Sequence, residues 1–309
     1  MIYTVTLNPA LDRAIIVDQL MEDDTVRILK ETYYAAGKSI DVSRVIRELG
    51  GDSVALGLLG GYNGLHLEGL LINAGVMTDF TKISQETRTN IILNEKTSGR
   101  QFVISAAGPE VSATEIGQFY QQILQIKDMD YLVMSGSLPR GVNPNLYGQL
   151  ILAGKKKGAL IFLDADGAAL KESTAYKPTG IKPNIHELSR LVDRDLKKET
   201  EIIEACEQIR GQGIEYILVS RGKEGLILCT EGYHIKAVAP PVEVESTVGA
   251  GDSTVAGFIL AHSRGEDLKE CIRLACAAGT ATAQTPGTEL CHGNDVKKLL
   301  PEVDVTILS

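Results

Sequence analysis

Ser246-Thr247-Val248-Gly249-Ala250-Gly251-Asp252-Ser253 is the stretch on which the reading of this 309-residue chain turns. A valine-rich run punctuated by Pro240 and Pro241 precedes it. The apolar segment Val255-Ala256-Gly257-Phe258-Ile259-Leu260-Ala261 follows it as a helix. Two glycines at a loop-to-helix junction let backbone N–H groups point at an anion, and the helix dipole adds positive potential there. Asp252 falls at or near the first turn of that helix. A carboxylate beside an anion cradle is itself a poor anion ligand. Its plausible task is to take a proton from a nucleophile that attacks the anion. The competing reading makes Asp252 a helix N-cap and the glycines a simple turn. The stretch by itself leaves both open.

The rest of the chain narrows the choice. Hydrophobic residues make up 44% and charged residues 23%, the balance of a globular enzyme that buries a substantial core. The length suits one large domain or two ordinary ones. With a net charge of −9 and no long basic run, nucleic acid is not the expected partner. A phosphorylated ligand must then be met by a few locally gathered cations. Cys206, Cys229, Cys271, Cys276 and Cys291 form no CxxC pair, and no signal segment precedes them. That predicts buried thiols in a reducing cytoplasm. The five histidines lack metal-ligand spacing, and no apolar run is long enough to span a bilayer.

Residues 2–7 read as a β-strand that stops at Asn8-Pro9, with Asp12 just beyond. Residues 14–17 and 26–34 are short extended runs. A hairpin of residues 89–93 and 101–104 closes around Thr97-Ser98-Gly99. These pieces are expected to form a small separate sheet. Gly37-Lys38-Ser39 opens a helix with Val42, Val45, Ile46 and Leu49 on one face. Further on, apolar strands at residues 53–59, 131–134, 159–163 and 216–219 alternate with amphipathic helices. Lys182 closes a short strand, residues 226–229 and 234–238 form a hairpin, and the chain after Asp252 is mostly helical to Leu300. The pattern predicts an α/β fold: a mostly parallel sheet with helices on both faces. Ligands of such sheets bind beyond the carboxyl ends of the strands. Asp12, Ser135, Ser137, Asp164, Lys182 and Ser220 all fall at predicted strand ends.

Six stretches then occur in order. They are Thr6-Leu7-Asn8-Pro9-Ala10-Leu11-Asp12, Ala36-Gly37-Lys38-Ser39-Ile40-Asp41-Val42, Thr87-Arg88-Thr89-Asn90, Ser135-Gly136-Ser137-Leu138-Pro139, Lys182-Pro183-Asn184-Ile185-His186-Glu187-Leu188 and Gly249-Ala250-Gly251-Asp252. Together they resemble the ribokinase-like carbohydrate kinases, the PfkB family. Within it they are most similar to the branch of 1-phosphofructokinase, tagatose-6-phosphate kinase and the minor 6-phosphofructokinase. The resemblance spans essentially the whole chain. It implies a single ribokinase-like domain with a Rossmann-like core and a small β-sheet lid, drawn from about residues 13–34 and 88–105. It also implies ATP-dependent phosphorylation of a sugar phosphate with Mg²⁺, in a cytoplasmic enzyme that dimerises through the lid.

Residue by residue, the resemblance assigns Asp252 as base and Gly249, Ala250 and Gly251 as an anion hole for the migrating phosphoryl group. Asp12 would bond sugar hydroxyls and Gly37 would allow close approach to the sugar. Ser137 would join the substrate side. Lys38, Arg88 and Arg27 are the candidates for the substrate's resident phosphate; in some relatives the last reaches across from a partner's lid. Asn184 and Glu187 share a helix face and would orient Mg²⁺ and the ATP phosphates, often through water; a capping box is compatible with that. Lys182, Ser220, Gly222 and Gly225 resemble the nucleotide-phosphate side, and Thr247, Ala278 and Thr282 would line the adenine pocket. Ser246, Val248 and the Pro286-Gly287-Thr288 loop would build a monovalent-cation (K⁺) site.

Two departures stand out against the family pattern. Ser39 and Asp41 replace a glycine and an asparagine, so that Asp41 could read a hydroxyl rather than help hold phosphate. Arg221 follows Ser220 and could touch a nucleotide phosphate or lie in solvent. Fructose 1-phosphate, fructose 6-phosphate and tagatose 6-phosphate are all compatible acceptors. A non-catalytic sugar-phosphate or nucleotide sensor on the same fold is the alternative of another class. A nicotinamide dehydrogenase would need GxGxxG after the first strand; the glycine-rich segment at residues 57–64 lacks that spacing and reads as a strand-to-helix loop.

Overall fold

The computed structural model describes residues 1–308. The first half runs β1 (Ile2–Thr6), β2 (Ala10–Val17), β3 (Ile28–Ala36), α1 (Lys38–Glu48), β4 (Ser53–Gly60), α2 (Gly61–Asn73), β5 (Met77–Ile83), β6 (Arg88–Glu95), β7 (Gln101–Ile104) and α3 (Ala113–Gln125). Then come β8 (Tyr131–Ser135), α4 (Leu146–Lys156), β9 (Leu160–Asp164), α5 (Gly167–Thr174), β10 (Gly180–Ile181), α6 (Ile185–Val192), α7 (Glu199–Arg210) and β11 (Tyr216–Ser220). The chain ends with β12 (Leu226–Cys229), β13 (His234–Val238), α8 (Ala250–Ser263), α9 (Leu268–Ala283), α10 (Gly293–Leu299) and β14 (Asp304–Leu308).

One sheet has ten strands in the order β14-β13-β12-β11-β10-β9-β8-β1-β4-β5. It is parallel from β5 to β11 and antiparallel beyond. The central strands are apolar on both faces, as in β8, where every residue is buried. A strand buried on both sides needs a helix layer on each. On one face α3, α4, α6 and α7 supply Phe119, Leu150, Leu188 and Ile202. On the other, α1, α8, α9 and α10 supply Val45, Phe258, Ala275 and Val296. Helix α8 lies so deep that all residues from Asp252 to Ala261 are buried.

Strand β1 pairs with β4 on one side and β8 on the other, so the strand order reverses at β1. Crevices beyond the carboxyl ends at such a reversal are where open α/β sheets bind ligands. A second sheet of four strands, β3-β2-β6-β7, stands over that end. It contains the predicted small-sheet pieces, with β2 and β3 paired antiparallel and β2 and β6 parallel.

Asp12 departs from its expected place. It is not a turn residue past the first strand but the third residue of β2, opposite Tyr34 and Asn90. Residues 57–60 are strand rather than loop. Three elements have no sequence-level counterpart: β5, β14 and α5. The two strands are sheet edges with mixed burial, and one-sided, partly polar strands give weak periodicity. All five cysteines are buried free thiols. Among the described residues no helix is long and apolar enough to cross a membrane.

Candidate active site

The site forms where the head of α8 meets the carboxyl ends of β1, β8 and β9 beneath the small sheet. Gly249 caps α8 with φ 77°, a left-handed conformation that suits glycine. In the first turn Gly251 N–H has no acceptor and is free for an anion, while Ala250 N makes only a long contact of 3.4 Å to Thr247 O, one that an anion could displace. A Cβ on Gly251 would sit 3.4 Å from Lys182 Nζ. The lysine therefore stands at the mouth of the cradle, where glycine keeps the approach open.

Asp252 follows in the first turn and is only 8% exposed. It is not the N-cap, a place Gly249 takes. Among the described residues its carboxylate receives no hydrogen bond, so the capping reading loses its ground. Burial, then the charges of Asp164 and Asp41, push its pKa well above the ordinary carboxylate value, against Lys38 and Lys182.

Asp164, at the end of β9, is the counter-ion of the site. Lys38 Nζ donates to its Oδ1 at 3.3 Å, and Lys182 Nζ lies 3.6 Å from its Oδ2. Burial works against the Lys38 charge, yet Asp164, Asp252 and Glu187 raise its pKa overall. Lys38 thus shares the Asp164 carboxylate with Lys182, close to Asp252 and Glu187.

The sugar end is built from both sheets. Asn90 Nδ2 donates to Asp12 Oδ1 at 2.8 Å, and Ala106 N donates to Asn90 Oδ1 at 3.1 Å. Burial raises the Asp12 pKa, while Asn90, Arg88 and Arg44 oppose the rise. Gly37 (φ 145°) precedes α1, and a Cβ there would lie 2.7 Å from Thr6 Cγ2. Asp41, in the first turn of α1, accepts from Arg44 Nη1 at 2.9 Å, and Arg44 Nη1 also reaches Ala35 O at 3.2 Å. Burial lifts the Asp41 pKa to about 6; Arg44 opposes and Asp12 adds to it. Ser39 turns inward and donates to Ser135 Oγ at 2.9 Å.

Arg88 binds carbonyls at the base of the small sheet: Asn8 O (2.9 Å), Ala106 O (2.8 Å) and Pro9 O (3.4 Å). Asn8 Nδ2 in turn donates to Ser137 Oγ at 3.2 Å. Arg27 is not brought to this cleft. It is exposed in the β2–β3 connection, beyond the Val17–Ile28 pair.

On the opposite side Asn184 Oδ1 accepts from His186 N and Glu187 N, both at 2.9 Å. Glu187 Oε2 accepts from Asn184 N at 2.8 Å, a complete capping box. The Asn184 oxygen is thereby occupied, and Glu187 Oε1 is the free ligand of the pair. Ser220 N donates to Pro183 O at 3.1 Å, which holds the β11 end against the Lys182 loop. Gly222 (φ 57°) and Gly225 (φ 81°) both turn the chain in the left-handed region, and a Cβ on Gly225 would also collide with the Ala237 carbonyl. Arg221 is neither a solvent residue nor free for phosphate: Glu199 and Glu224 both pair with it.

Thr247 is exposed beside the cradle. Ala278 and Thr282 lie in the α8–α9 interface with no exposed surface. Thr282 Oγ1 is spent on Ser253 Oγ (2.6 Å) and Cys291 N (3.0 Å). Both residues therefore hold α8 in place rather than line an open adenine pocket. Ser246 Oγ donates to Gly287 O at 2.6 Å, which joins the two loops expected to hold a monovalent cation.

Asp164, Asn8 and Asn90 are the members that sequence reasoning left without a role. Their positions at strand ends or inside quoted motifs are legible; their pairing across more than seventy residues of chain is not.

A cradle for a migrating anion, a buried carboxylate behind it and lysines at its rim, set at the switch point of an open α/β sheet, define a phosphotransferase. The comparisons make the class specific. The model of the pfkB family carbohydrate kinases matches residues 5–294, and the chain belongs to that family. It is 35% identical over 306 residues to a 1-phosphofructokinase of Borreliella burgdorferi, covering 99% of this chain and 98% of that one. It is 35% identical over 310 residues to a tagatose-6-phosphate kinase of Staphylococcus epidermidis, covering 99% of both. The crystal structure of phosphofructokinase-2 from Escherichia coli in complex with potassium superposes with a TM-score of 0.92 at 35% identity, covering 97% of this chain and 98% of that one.

Proposed function

We propose that this kinase transfers the terminal phosphoryl group of ATP to a free hydroxyl of a ketohexose phosphate, with fructose 1-phosphate as the favoured acceptor and fructose 1,6-bisphosphate as product. The observation that carries the reading is the Asp252 carboxylate, buried in the first turn of α8 directly behind the Gly249–Gly251 cradle. In this reading Asp12, held by Asn90, accepts hydrogen bonds from sugar hydroxyls and orients the ring. Asp252 accepts the proton of the attacking hydroxyl. The N–H groups of Ala250 and Gly251 and the Lys182 ammonium meet the charge on the migrating group. Lys38, tied to Asp164 beside Asp252, neutralises the same region rather than the resident phosphate. Thr247 flanks the nucleotide.

Glu187, beside Asn184, would help hold magnesium carried in with ATP, and the metal would supply charge neutralisation to the phosphates. Among the described residues no three of His, Cys, Asp and Glu converge as a metal cage. Mg²⁺ needs none, because it takes one or two carboxylates with phosphate and water oxygens. Glu187, with Oε1 free, fits that demand. The Ser246 hydroxyl and the Gly287 carbonyl fit a monovalent cation by their oxygen chemistry.

The small sheet acts as the lid in this reading, and two copies pair through it. Its edge strands β3 and β7 expose Leu29, Val103 and Ile104 at 58, 61 and 58%, and unpaired apolar edges are normally covered. Pairing of lids would also bring Arg27 to the partner's cleft. Light scattering that gives a monomer at all working concentrations would sink this part.

The test of the activity is ADP release from Mg-ATP with fructose 1-phosphate, fructose 6-phosphate and tagatose 6-phosphate offered separately. Fructose 1-phosphate is expected to give the highest kcat/KM. Preference for another of the three reassigns the acceptor, and absence of turnover with ATP still bound favours a sugar-phosphate sensor. Asp41→Asn is expected to raise KM for the preferred sugar roughly tenfold, the loss of one charged hydrogen bond to a hydroxyl. An unchanged KM would remove Asp41 from the sugar contacts.

A further inference from the structure

Helix α2 carries a single Asp, Glu, Lys or Arg in its 13 residues, Glu68, in a chain that is 23% charged. Glu68 is turned to the edge of the large sheet, where it pairs with Lys82 of β5. The inner face of the helix buries Gly64, Leu67 and Leu71. Its outer face is apolar as well: Tyr62, Leu65 and Ile72 are 86, 60 and 59% exposed. A helix that is apolar on two sides is normally covered on both. Among the described residues nothing covers the outer one.

Tyr62, Leu65, Gly69 and Ile72 stand three, four and three apart, so they share one stripe with the spacing of a helix–helix seam. Gly69 is the informative member. A glycine inside a helix weakens it relative to alanine. Gly69 is not in the left-handed region, and a Cβ there would meet no packed atom of this chain within 4 Å. Nothing within the protomer needs glycine at this position, whereas the close approach of another backbone does. The stripe is also self-complementary. About its midpoint at Leu67, Tyr62 falls opposite Ile72 and Leu65 opposite Gly69. Two copies of α2 laid antiparallel across a two-fold axis would set each Leu65 over the partner's Gly69. A concavity of about 500 Å³ opens at the Tyr62 end, lined by Tyr62, Leu65 and Lys82 among others, and that arrangement delivers the partner's Ile72 to it.

The stripe exposes on the order of 400 Å² of apolar surface, the size of a functional patch on a monomer. A standard interface buries about 800 Å² per partner, roughly 60% of it apolar, so the stripe supplies most of the apolar part. Its flanks are polar, with the Glu68–Lys82 pair on one side and His66, packed on Tyr33, on the other. An apolar centre with a polar rim is the anatomy of a protein interface, and the uncharged centre suits a copy of itself rather than a strongly charged partner. We infer that α2 is an interface between two copies of this chain, paired antiparallel through Tyr62, Leu65, Gly69 and Ile72. It lies on a different element from the lid edges β3 and β7 and adds to any pairing they make.

Full-length wild type, Leu65→Glu and Gly69→Leu would be compared by light scattering over a range of concentrations. Leu65 is exposed and the space at Gly69 is open, so both variants are expected to keep the wild-type circular dichroism. Leu65→Glu is expected to weaken pairing roughly a hundredfold, as for a central interface residue, and so to halve the mass. The mass halves whether or not the lids pair as well, so failure of the lid pairing leaves this test intact. Gly69→Leu is expected to halve it too, although it adds apolar surface; a patch that is merely sticky would gain mass instead. An equal mixture of Tyr62→Cys and Ile72→Cys proteins is expected to cross-link under mild oxidation, and neither protein alone, because like positions lie about 15 Å apart along the seam. The five native thiols are buried. A wild type with the mass of Leu65→Glu at every concentration overturns the interface. Undiminished association of Gly69→Leu, or cross-linking no greater in the mixture than in either protein alone, overturns the antiparallel seam.

Discussion

Asp252→Asn is expected to lower kcat by about 10²–10⁴-fold, the usual contribution of a positioned general base, with little change in KM for Mg-ATP. The same substitution is expected to raise thermal stability near neutral pH. Ionised Asp252 is costly to the fold, because burial and the charges of Asp164 and Asp41 push its pKa well above the ordinary value. In the unfolded chain the carboxyl titrates near about 3.9. Below that value both states are protonated and the fold bears no cost. As pH rises, the unfolded state ionises first, so stability falls progressively until pH passes the folded pKa. The asparagine never ionises. Its melting temperature should therefore exceed that of the wild type at about pH 8, with the gap narrowing towards about pH 4. Lys38 and Lys182 keep Asp164 as counter-ion in the variant. Measuring turnover and melting on the same samples separates base from cap. A carboxylate that capped the helix would give a less stable asparagine variant and near-normal turnover. Loss of activity with a gain in stability is the signature of a group retained for chemistry at the expense of the fold.

The legible parts of this molecule are those in which local chemistry and global placement agree. Gly249 and Gly251 announce a helix head, and they are one. The apolar runs of β8, β9 and β11 announce a parallel core, because strands buried on both faces leave no alternation to confuse. Asn184 and Glu187 announce a capping box three residues apart and form it. What sequence does not carry is pairing at a distance. Lys38 reads as a cation near a sugar; only the approach of β9 to α1 ties it to Asp164, 126 positions away. Arg221 reads as a residue at a nucleotide loop. Only the packing of α7 against β11 and β12 hands it to Glu199. Arg88 reads as a phosphate ligand, yet three of its donors hold the base of the small sheet. Edge strands β5 and β14 fail for another reason: with one face wet, their residues satisfy neither a strand nor a helix template cleanly.

Gly57→Ala is expected to destabilise the protein by about 3–5 kcal/mol, combining a forced left-handed conformation with overpacking. Gly57 lies within β4 opposite Thr6 of β1, at φ 148°. A Cβ at Gly57 would collide with the Thr6 carbonyl oxygen, a backbone atom of a strand that β4 and β8 hold on both sides up to Val5. Thr6 is confined on its other flank as well. Its Oγ1 accepts from Ile40 N at 3.0 Å, and its Cγ2 would meet a Cβ on Gly37 at 2.7 Å. Strand β1 is thus pinched between two glycines, one fixing its register to β4, the other seating α1 against it. The residues that follow Thr6 lead through Asn8 to Asp12, and those that follow Gly37 include Lys38 and Asp41. A shift of β1 would therefore move the sugar side of the site relative to the α8 cradle. The melting temperature is expected to drop on the order of 10 °C. In the folded fraction, kcat should fall more than KM for Mg-ATP changes, because misalignment of attacking hydroxyl and phosphoryl group affects the transfer first. A variant that melts within about 2 °C of the wild type would show that β1 can yield at Thr6; the pinch would then not set the site's alignment.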